Sequence, residues 1–324
     1  MLKIGVIGAG HLGSIHIKLL SQNDGVEFVG IYDTDSAKAK EIANLYHINS
    51  FASQEELIQN CDSVIIASPT IYHFEIAQQC LLSGKHTFIE KPITDTYDNA
   101  LKLIEIAKDK DLILQVGHVE RFNPVMSALN NYDINPLFIE GHRLSQFKPR
   151  ATDVSVIHDL MIHDIDLCLM LIKSPVAKID ANGVSILTQT PDIANARISF
   201  ENGAVVNLTA SRISASPMRK LRIFQKSAYF SLDFAKQELK VFAISDDDLP
   251  TNALPALALG SIDVGDVSKQ IYMEIPEIPQ INAIDQEQRS FINSIINKEP
   301  AKVDGMQAAE ALRVVEIINN IITQ

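Results

Sequence analysis

Short apolar, β-branched runs alternate with longer amphipathic stretches over the first part of the chain. Strands are predicted at residues 3–7, 27–32, 63–67, 87–90 and 113–116. Helical sequence follows each strand, with Ser53 and Glu56 as a capping box and Gly84 at the end of a pattern over residues 71–83. Val- and Ile-rich strands that alternate with helices predict a doubly wound parallel sheet covered on both faces.

The hydrophobic pattern changes after Gly117. A helical stretch over residues 123–131 precedes a very apolar one over residues 155–172. Extended runs follow at residues 176–187, 194–200, 204–210, 219–225, 229–233 and 238–244. The dipeptide of Asn202 and Gly203 between two of these runs is typical of a hairpin turn. These features predict an α+β arrangement with a largely antiparallel sheet.

The remaining sequence predicts a loop and two helices. Residues 245–270 contain three consecutive aspartates and two prolines with little periodicity, which predicts a loop that also serves in assembly. Helices are predicted at residues 283–296 and 306–322, the second with Asp304 as its N-cap. We therefore expect two domains, residues 1–118 and residues 119–324, with the C-terminal helix packing back on the first.

Composition and charge exclude several classes of protein. A chain of 324 residues with 46% hydrophobic and 21% charged residues is long and apolar enough for two folded domains. Its formal charge of −12 disfavours binding to nucleic acid or to an anionic membrane surface. No apolar run approaches the ~20 residues that span a bilayer, and the first apolar run leads into a glycine turn rather than a signal-peptide cleavage site.

The cysteines favour a reducing compartment. Cys61, Cys80 and Cys168 are odd in number, widely spaced and without a CxxC pair. This spacing indicates neither a disulfide framework nor a zinc site. We therefore expect a cytoplasmic protein with no structural metal.

The sequence GAGHLG at residues 8–13 directly follows the first predicted strand and precedes a helix. Gly8 suits the tight turn, Gly10 the close approach of a pyrophosphate, and Gly13 the packing of helix on strand. Asp33 ends the second strand, where a carboxylate can accept both ribose hydroxyls and repels a 2′-phosphate. The pattern predicts a dinucleotide site and favours NAD over NADP, while a glycine-rich turn without a ligand is the alternative. The cofactor residues predicted from this motif are Gly8, Gly10, His11, Leu12 and Gly13.

Two other groups of residues follow predicted parallel strands at the sheet edge where ligands bind in such folds. Glu90, Lys91 and Pro92 form one group, in which the lysine can reach a bound substrate or can simply be solvated. Ser68 and Pro69 form the other. His73 follows on the next helix, and a structural role at the helix start or in the core is the simpler interpretation of this histidine.

A third polar group lies within the apolar stretch 155–172. At 100° per residue, Asp159, His163 and Asp166 fall within about 60° of one another on a regular helix. Buried carboxylates are costly without partners, so the stripe indicates a functional role. His163 can exchange a proton near neutral pH, with a carboxylate one turn away to orient it. The alternatives are a structural ion-pair network and a metal site that uses Asp159 and His163.

The ordered motifs resemble those of the Gfo/Idh/MocA family of NAD(P)-dependent sugar and inositol oxidoreductases. The resemblance rests on GAGHLG, SPTIYH at residues 68–73, EKP at residues 90–92 and the DxxxHxxD pattern, in the family's order over essentially the whole chain. It implies an N-terminal Rossmann domain and a C-terminal domain whose open sheet often forms the oligomer interface. We therefore expect a homodimer or homotetramer.

The resemblance also implies roles for individual residues. Lys91 matches the lysine near the nicotinamide and the reacting hydroxyl, with Pro92 commonly after a cis peptide. Asp159 and His163 match the substrate-side pair, with His163 as proton acceptor. The residues expected to line the nicotinamide ribose and ring are Ser68, Pro69, His73 and Glu90. Met161 is a difference, because many members carry glycine there.

Residues 116–124 and 159–169 resemble a branch that oxidises the 3-hydroxyl of UDP-N-acetylglucosamine. Arg121 and Asn123 are then expected to contact substrate, arginine being suited to a diphosphate. A structural salt bridge of Arg121 is the alternative. The resulting hypothesis is NAD-dependent oxidation of a sugar hydroxyl to a ketone, with His163 and Lys91 handling the hydroxyl proton.

Three other functions remain open on the sequence. One is oxidation of a free sugar or inositol. Another is a non-catalytic regulatory protein that binds NAD and a metabolite. The third is a metal-dependent lyase or hydrolase centred on Asp159 and His163.

Overall fold

The computed structural model describes residues 1–147, 154–245, 257–265 and 267–323. Contacts between Cα atoms divide the chain into two compact units. Unit 1 consists of residues 1–122 and 282–313, and unit 2 of residues 123–281 and 314–324. The domain limits expected from the sequence, residues 1–118 and 119–324, remain a prediction and are not the same as the limits of these two units.

Unit 1 is built on a parallel sheet. Its strands are β1 (Leu2–Ile7), β2 (Val26–Tyr32), β3 (Asn49–Ser50), β4 (Ser63–Ile66), β5 (His86–Glu90) and β6 (Leu114–Gly117). Their order across the sheet is β3-β2-β1-β4-β5-β6. The strand order reverses between β1 and β4, which makes the carboxyl edge of the sheet at that point a ligand crevice. The predicted doubly wound fold is confirmed.

Helices cover both faces of this sheet. They are α1 (His11–Leu20), α2 (Ser36–Tyr46), α3 (Gln54–Asn60), α4 (His73–Leu82), α5 (Tyr97–Asp109), α8 (Ala283–Asn297) and the first part of α9 (Gly305–Thr323). The capping prediction at Ser53 is confirmed, since its Oγ accepts the Glu56 N–H at 3.1 Å. Asp304 Oδ1 likewise accepts the Gln307 N–H at 2.8 Å, as expected of the N-cap of α9. One core cluster includes Leu57, Leu81, Leu103 and Leu312, and the other includes Ile4, Ile17, Phe88 and Phe291.

Unit 2 is built on a mixed sheet. Its strands are β7 (Phe138–Leu144), β8 (Val176–Val184), β9 (Ile193–Phe200), β10 (Val205–Ser211), β11 (Met218–Gln225), β12 (Ala228–Asp233), β13 (Glu238–Ser245), β14 (Leu257–Val264) and β15 (Val267–Glu274). Their order is β14-β15-β13-β12-β11-β7-β10-β9-β8, with only the β7–β10 pair parallel among the described strands. The largely antiparallel prediction is confirmed, and the hairpin at Asn202 and Gly203 joins β9 to β10. The helices of this unit are α6 (Pro124–Leu129), α7 (Ile162–Ile172) and the end of α9.

The loop predicted over residues 245–270 is wrong in its second half. Residues 257–264 and 267–274 pair as the hairpin of β14 and β15. The side chains of β14 that are described are exposed, so neither face is buried and no period-two alternation marks the strand. The three aspartates at residues 246–248 lie outside the described residues.

Strand β7 is absent from the sequence-based prediction. Its burial alternates strictly, but Gly141 and Arg143 occupy inward positions where apolar residues are expected. A Cβ on Gly141 would lie 2.6 Å from Leu208 Cδ2, so the glycine permits close packing. No helix in the described part of the chain is both long and apolar enough to cross a bilayer.

Candidate functional site

The glycine loop between β1 and α1 is shaped for a close-approaching ligand. Gly8 has φ +96°, and a Cβ there would lie 2.7 Å from the Ala67 carbonyl oxygen. A Cβ on Gly13 would lie 2.0 Å from the Gly8 carbonyl oxygen, so helix and loop touch at this point. A Cβ on Gly10 would meet no atom within 4 Å, which leaves open space above the loop. His11 and Leu12 are exposed at the start of α1.

A cleft of about 490 Å³ opens beside this loop. The predicted site residues that line it are Gly8, Gly10, Asp33, Ser68 and Pro69. Asp33 Oδ2 accepts the Ala9 N–H at 2.6 Å, and Asp33 Oδ1 accepts the Asp35 N–H at 2.9 Å. Lys38 also lines the cleft and brings a positive charge that the sequence interpretation did not weigh.

His73 joins the two loops that follow β4 and β5. It is buried at the start of α4, with Nδ1 at 2.8 Å from the Pro92 carbonyl oxygen and Nε2 at 2.9 Å from that of Ser68. Burial lowers its pKa, while hydrogen bonds to the two carbonyl groups oppose that shift. A neutral ring has one N–H and donates to one of these carbonyl groups at a time. The simpler interpretation of His73, a structural role at a helix start, agrees with this geometry.

Glu90, Lys91 and Pro92 lie at the carboxyl end of β5, next to β6. Glu90 is buried, Lys91 is half-buried, and the bond between Lys91 and Pro92 is cis. Glu90 Oε1 accepts a hydrogen bond from His16 Nε2 at 2.7 Å. A Cβ on Gly117 would lie 2.9 Å from Glu90 Oε2, so the carboxylate packs directly on the backbone of β6.

Asp159, His163 and Asp166 of unit 2 do not share one regular α-helix. Residues 157–161 form a π-helical turn that leads into α7, so the 100° spacing assumed between Asp159 and His163 does not apply. These two residues are half-buried, whereas Asp166 is buried and Met161 is fully buried. Among the side chains described, no three His, Cys, Asp or Glu residues converge as metal ligands would.

One buried ion pair of unit 2 involves Asp164, an aspartate next to His163 that the sequence interpretation did not select. Asp164 Oδ1 accepts hydrogen bonds from Arg143 Nη2 at 2.7 Å and Nε at 3.1 Å, and both side chains are 4% exposed. The guanidinium therefore compensates a carboxylate on the apolar helix. Asp164 lies on the helix that the apolar pattern predicted, whereas Arg143 lies on β7, a strand that the sequence pattern did not predict.

Arg121 and Asn123 have structural contacts of their own. Arg121 is buried in unit 1, where its Nη1 donates to Gln307 Oε1 at 2.7 Å. Asn123 caps α6 in unit 2, with Oδ1 accepting the Val125 N–H at 3.1 Å. The expected substrate contacts of both residues stay predictions.

Two residues absent from the sequence interpretation complete the Glu90 site. His16 of α1 and Gln288 of α8 are buried, and Gln288 Nε2 donates to His16 Nδ1 at 2.7 Å. His16 lies three residues after the glycine motif, on the helix face toward the sheet. Its place on the first helix, close to the glycine motif, could have identified His16 from the sequence. No sequence feature marks Gln288 in this way.

The cleft of unit 1 fits a dinucleotide. Open space lies above Gly10, and this residue makes no side-chain cap for α1, so first-turn N–H groups can receive a phosphate. Ser68 Oγ is buried at the cleft without a hydrogen-bond partner. These features, with the carboxylate of Asp33, match a pyrophosphate and a ribose.

Comparison with known proteins gives matches in both halves of the chain. Residues 2–118 match the oxidoreductase family with an NAD-binding Rossmann fold, and residues 127–230 match the GFO/IDH/MocA C-terminal domain. UDP-N-acetylglucosamine 3-dehydrogenase of Acidithiobacillus ferrooxidans is 32% identical over 96% of this chain and 94% of its own length. The scyllo-inositol 2-dehydrogenase (NAD(+)) of Bacillus subtilis is 27% identical over 66% of this chain and 68% of its own.

Solved structures give the same result. The A. ferrooxidans enzyme superposes with a TM-score of 0.89 at 31% identity and covers 99% of this chain and 97% of that one. A scyllo-inositol dehydrogenase from Lactobacillus casei, solved with NAD(H) and scyllo-inositol, has a TM-score of 0.78 at 18% identity over 100% of this chain and 97% of that one, and this likeness shows the fold. With both domain matches and a relative that is 32% identical over 96% of this chain, the chain belongs to the Gfo/Idh/MocA family of NAD-binding oxidoreductases.

Proposed function

We propose that this protein is an NAD-dependent dehydrogenase that oxidises the 3-hydroxyl of a UDP-N-acetylglucosamine-like nucleotide sugar. The observation that carries the proposal is its 32% identity to the UDP-N-acetylglucosamine 3-dehydrogenase over 96% of the chain. The dinucleotide cleft of unit 1 supports the cofactor half of the proposal. The EKP residues and the Asp159 and His163 pair support the chemical half.

NAD is the proposed cofactor rather than NADP. Asp33 is held at the mouth of the cleft by two backbone N–H donors, so its carboxylate is a fixed acceptor for ribose hydroxyls. A 2′-phosphate there would meet this negative charge at close range. Lys38 lines the same cleft, and its positive charge would reduce this repulsion. We therefore expect NADP to bind more weakly than NAD rather than not at all.

In the proposed mechanism, Lys91 and His163 act on the hydroxyl that is oxidised. NAD, held in the cleft by the glycine loop and Asp33, would supply the acceptor for the hydride that leaves the sugar carbon. The hydroxyl proton passes to His163, and Asp159 helps to hold the imidazole in its accepting form. The oxygen is alkoxide-like as the proton leaves, and the Lys91 ammonium stabilises that charge. The half-buried positions of Lys91, Asp159 and His163 leave part of each side chain accessible to a ligand.

Arg121 and Asn123 are the proposed substrate contacts outside the reacting centre. The Arg121 guanidinium carries five N–H donors, and its Nη1 bonds to Gln307 Oε1. Lys302 adds a second charge near it, since burial and then Arg121 lower the Lys302 pKa. A pair of cations favours the diphosphate of a nucleotide sugar over a neutral ring.

Absorbance of NADH at its long-wavelength band tests the proposal directly. Purified protein with NAD is offered UDP-N-acetylglucosamine, other UDP-sugars, free hexoses and inositols. A rise with UDP-N-acetylglucosamine is the expected result. A rise with free rings alone replaces the substrate class with that of the B. subtilis inositol relative. Bound NADH without any turnover favours the regulatory alternative.

Assembly and location are also proposals. One face of the unit 2 sheet carries a row of stacked rings, with ring centroids 4.7 Å apart for Phe224 and Tyr229 and 5.3 Å apart for Tyr229 and Phe242. We infer that this face forms the interface of a homodimer or homotetramer, since a row of rings on a sheet favours a partner surface. The cysteines are free and buried, which agrees with a cytoplasmic location.

A further inference from the structure

A chain of buried hydrogen bonds connects α8 to the EKP residues within unit 1. Gln288 Nε2 donates to His16 Nδ1 at 2.7 Å, and His16 Nε2 bonds to Glu90 Oε1 at 2.7 Å. His16 is 0%, Gln288 1% and Glu90 8% exposed. The edge of the His16 ring also packs against Phe88, with 5.3 Å between centroids.

The hydrogen-bond pattern indicates which ring nitrogen of His16 acts as the donor. Gln288 Nε2 lies 3.1 Å from the carbonyl oxygen of His16, which can only accept, so this atom is the amide nitrogen. The same nitrogen donates to His16 Nδ1, which therefore carries a lone pair. The ring proton is then on Nε2 and is donated to Glu90.

The position of Glu90 decides what this chain can control. Asp33 ends β2 on one side of the point where the strand order reverses, and Glu90 ends β5 on the other. A dinucleotide lies across such a crevice, so with its adenosine ribose at Asp33 its nicotinamide half reaches the end of β5. Glu90 Oε2 packs on Gly117, where any larger residue would displace the carboxylate.

We infer that His16 is a positioning residue: its Nε2–H, fixed by Gln288, holds the Glu90 carboxylate in place to accept a hydrogen bond from the nicotinamide half of the dinucleotide. This inference rests on the proposed binding of NAD. The carboxylate has about four acceptor positions, of which His16 occupies one. Gln288 selects the tautomer of His16, because a proton on Nδ1 would point at the amide N–H of Gln288.

Two matched substitutions of His16 separate its two hydrogen bonds. In His16→Gln the amide nitrogen replaces Nε2 and can still donate to Glu90. In His16→Asn the amide oxygen replaces Nδ1, keeps the bond from Gln288 and cannot reach Glu90. Both variants lose the ring that packs on Phe88, so they share the same loss of packing. The probes are NADH and ADP, since ADP has only the adenosine half.

We expect His16→Asn to bind NADH about tenfold more weakly than wild type, the usual effect of one lost hydrogen bond to a charge, with ADP affinity unchanged. His16→Gln should stay within about threefold for both probes. Equal NADH affinity in wild type and His16→Asn overturns the inference. So does an equal loss of NADH and ADP affinity, which indicates general damage to the fold.

Nitrogen-15 NMR of the histidine rings gives a measurement that requires no variant. The expected His16 spectrum has a protonated Nε2 and an unprotonated Nδ1, and a proton on Nδ1 overturns the inference. Turnover separates it from the proposed function. If wild type binds NADH and oxidises no compound of the panel, the proposed function fails alone. If UDP-N-acetylglucosamine is oxidised and His16→Asn binds NADH normally, this inference fails alone.

Discussion

Asp33 Oδ2 accepts a hydrogen bond from the backbone N–H of Ala9 at 2.6 Å. The carboxylate at the end of β2 thus fixes the glycine loop in addition to any bond it makes to a ribose. Under the proposed function, Asp33 therefore takes part in both cofactor choice and loop conformation.

Replacing Asp33 is expected to change the cofactor preference. In Asp33→Ser the affinity for NAD should fall by about tenfold or more, because the loop tie and the ribose acceptor are both lost. NADP should lose less, since Lys38 can then pair with a 2′-phosphate. Calorimetric titration of both dinucleotides measures the ratio. The double variant Asp33→Ser with Lys38→Met is the control, and an unchanged ratio there contradicts a role for Lys38.

Lys91→Met should separate chemistry from cofactor binding. We expect kcat to fall by about 10²-fold or more, because the alkoxide loses its cation, while NADH affinity changes little. Stopped-flow absorbance and NADH fluorescence measure the two quantities. Lys40→Met, an exposed lysine on α2, is the matched control and should leave both unchanged. Full turnover in Lys91→Met would remove Lys91 from the mechanism.

The pair of Arg143 and Asp164 should matter for stability. Arg143→Met removes the guanidinium that donates to the buried Asp164 carboxylate, which should lower the free energy of unfolding by roughly 3–5 kcal/mol. The double variant Arg143→Met with Asp164→Leu should recover much of that loss. Urea denaturation measures both. A single variant as stable as wild type would show that other groups compensate Asp164.

Stability should fall on mild acidification. Burial lowers the pKa of His86, whose Nδ1 accepts the Ile113 N–H at 2.9 Å, and burial likewise lowers the pKa of His73. As pH falls, these histidines take up protons in the unfolded chain first, below about pH 6.5. The free energy of unfolding is therefore at its full value above that pH and decreases as the pH falls toward the lower pKa values of the folded state. Thermal melts at pH 7.5 and 5.5 measure the loss. His86→Asn keeps an acceptor for Ile113, so its melting temperature should depend less on pH.

A charged residue within the row of stacked rings tests whether this face forms the oligomer interface. Tyr229→Lys places an ammonium between the rings of Phe224 and Phe242, so we expect the homo-oligomer to dissociate toward monomer. Sedimentation velocity measures the change. Lys178→Ala, on strand β8, is the control, since its side chain is exposed at the sheet edge. An unchanged sedimentation coefficient in Tyr229→Lys would place the interface elsewhere.

Local patterns predicted the fold and the glycine loop well. The turn at Gly8, the tight packing at Gly13 and the acid at Asp33 each follow from a rule that acts over a few residues. Fold class follows because alternating strands and helices leave few ways to bury both.

Long-range polar pairs had no such signal. His16 and Gln288 are 272 residues apart along the chain, and nothing in either segment specifies the other. Arg143 interrupts the apolar side of β7, which hid the strand. The π-helical turn before α7 altered the face expected for Asp159, because periodicity assumes a regular helix.

The nucleotide-binding unit is discontinuous along the chain. Phe291 and Leu312 complete its two core clusters, although β6 ends at residue 117. During synthesis, a nascent chain that has produced all six strands of this sheet still lacks those side chains, and its apolar surface stays uncovered while unit 2 is made. A fragment of residues 1–122 should consequently be incompletely folded, and the chain should bind its cofactor only after the ribosome has made the last helices.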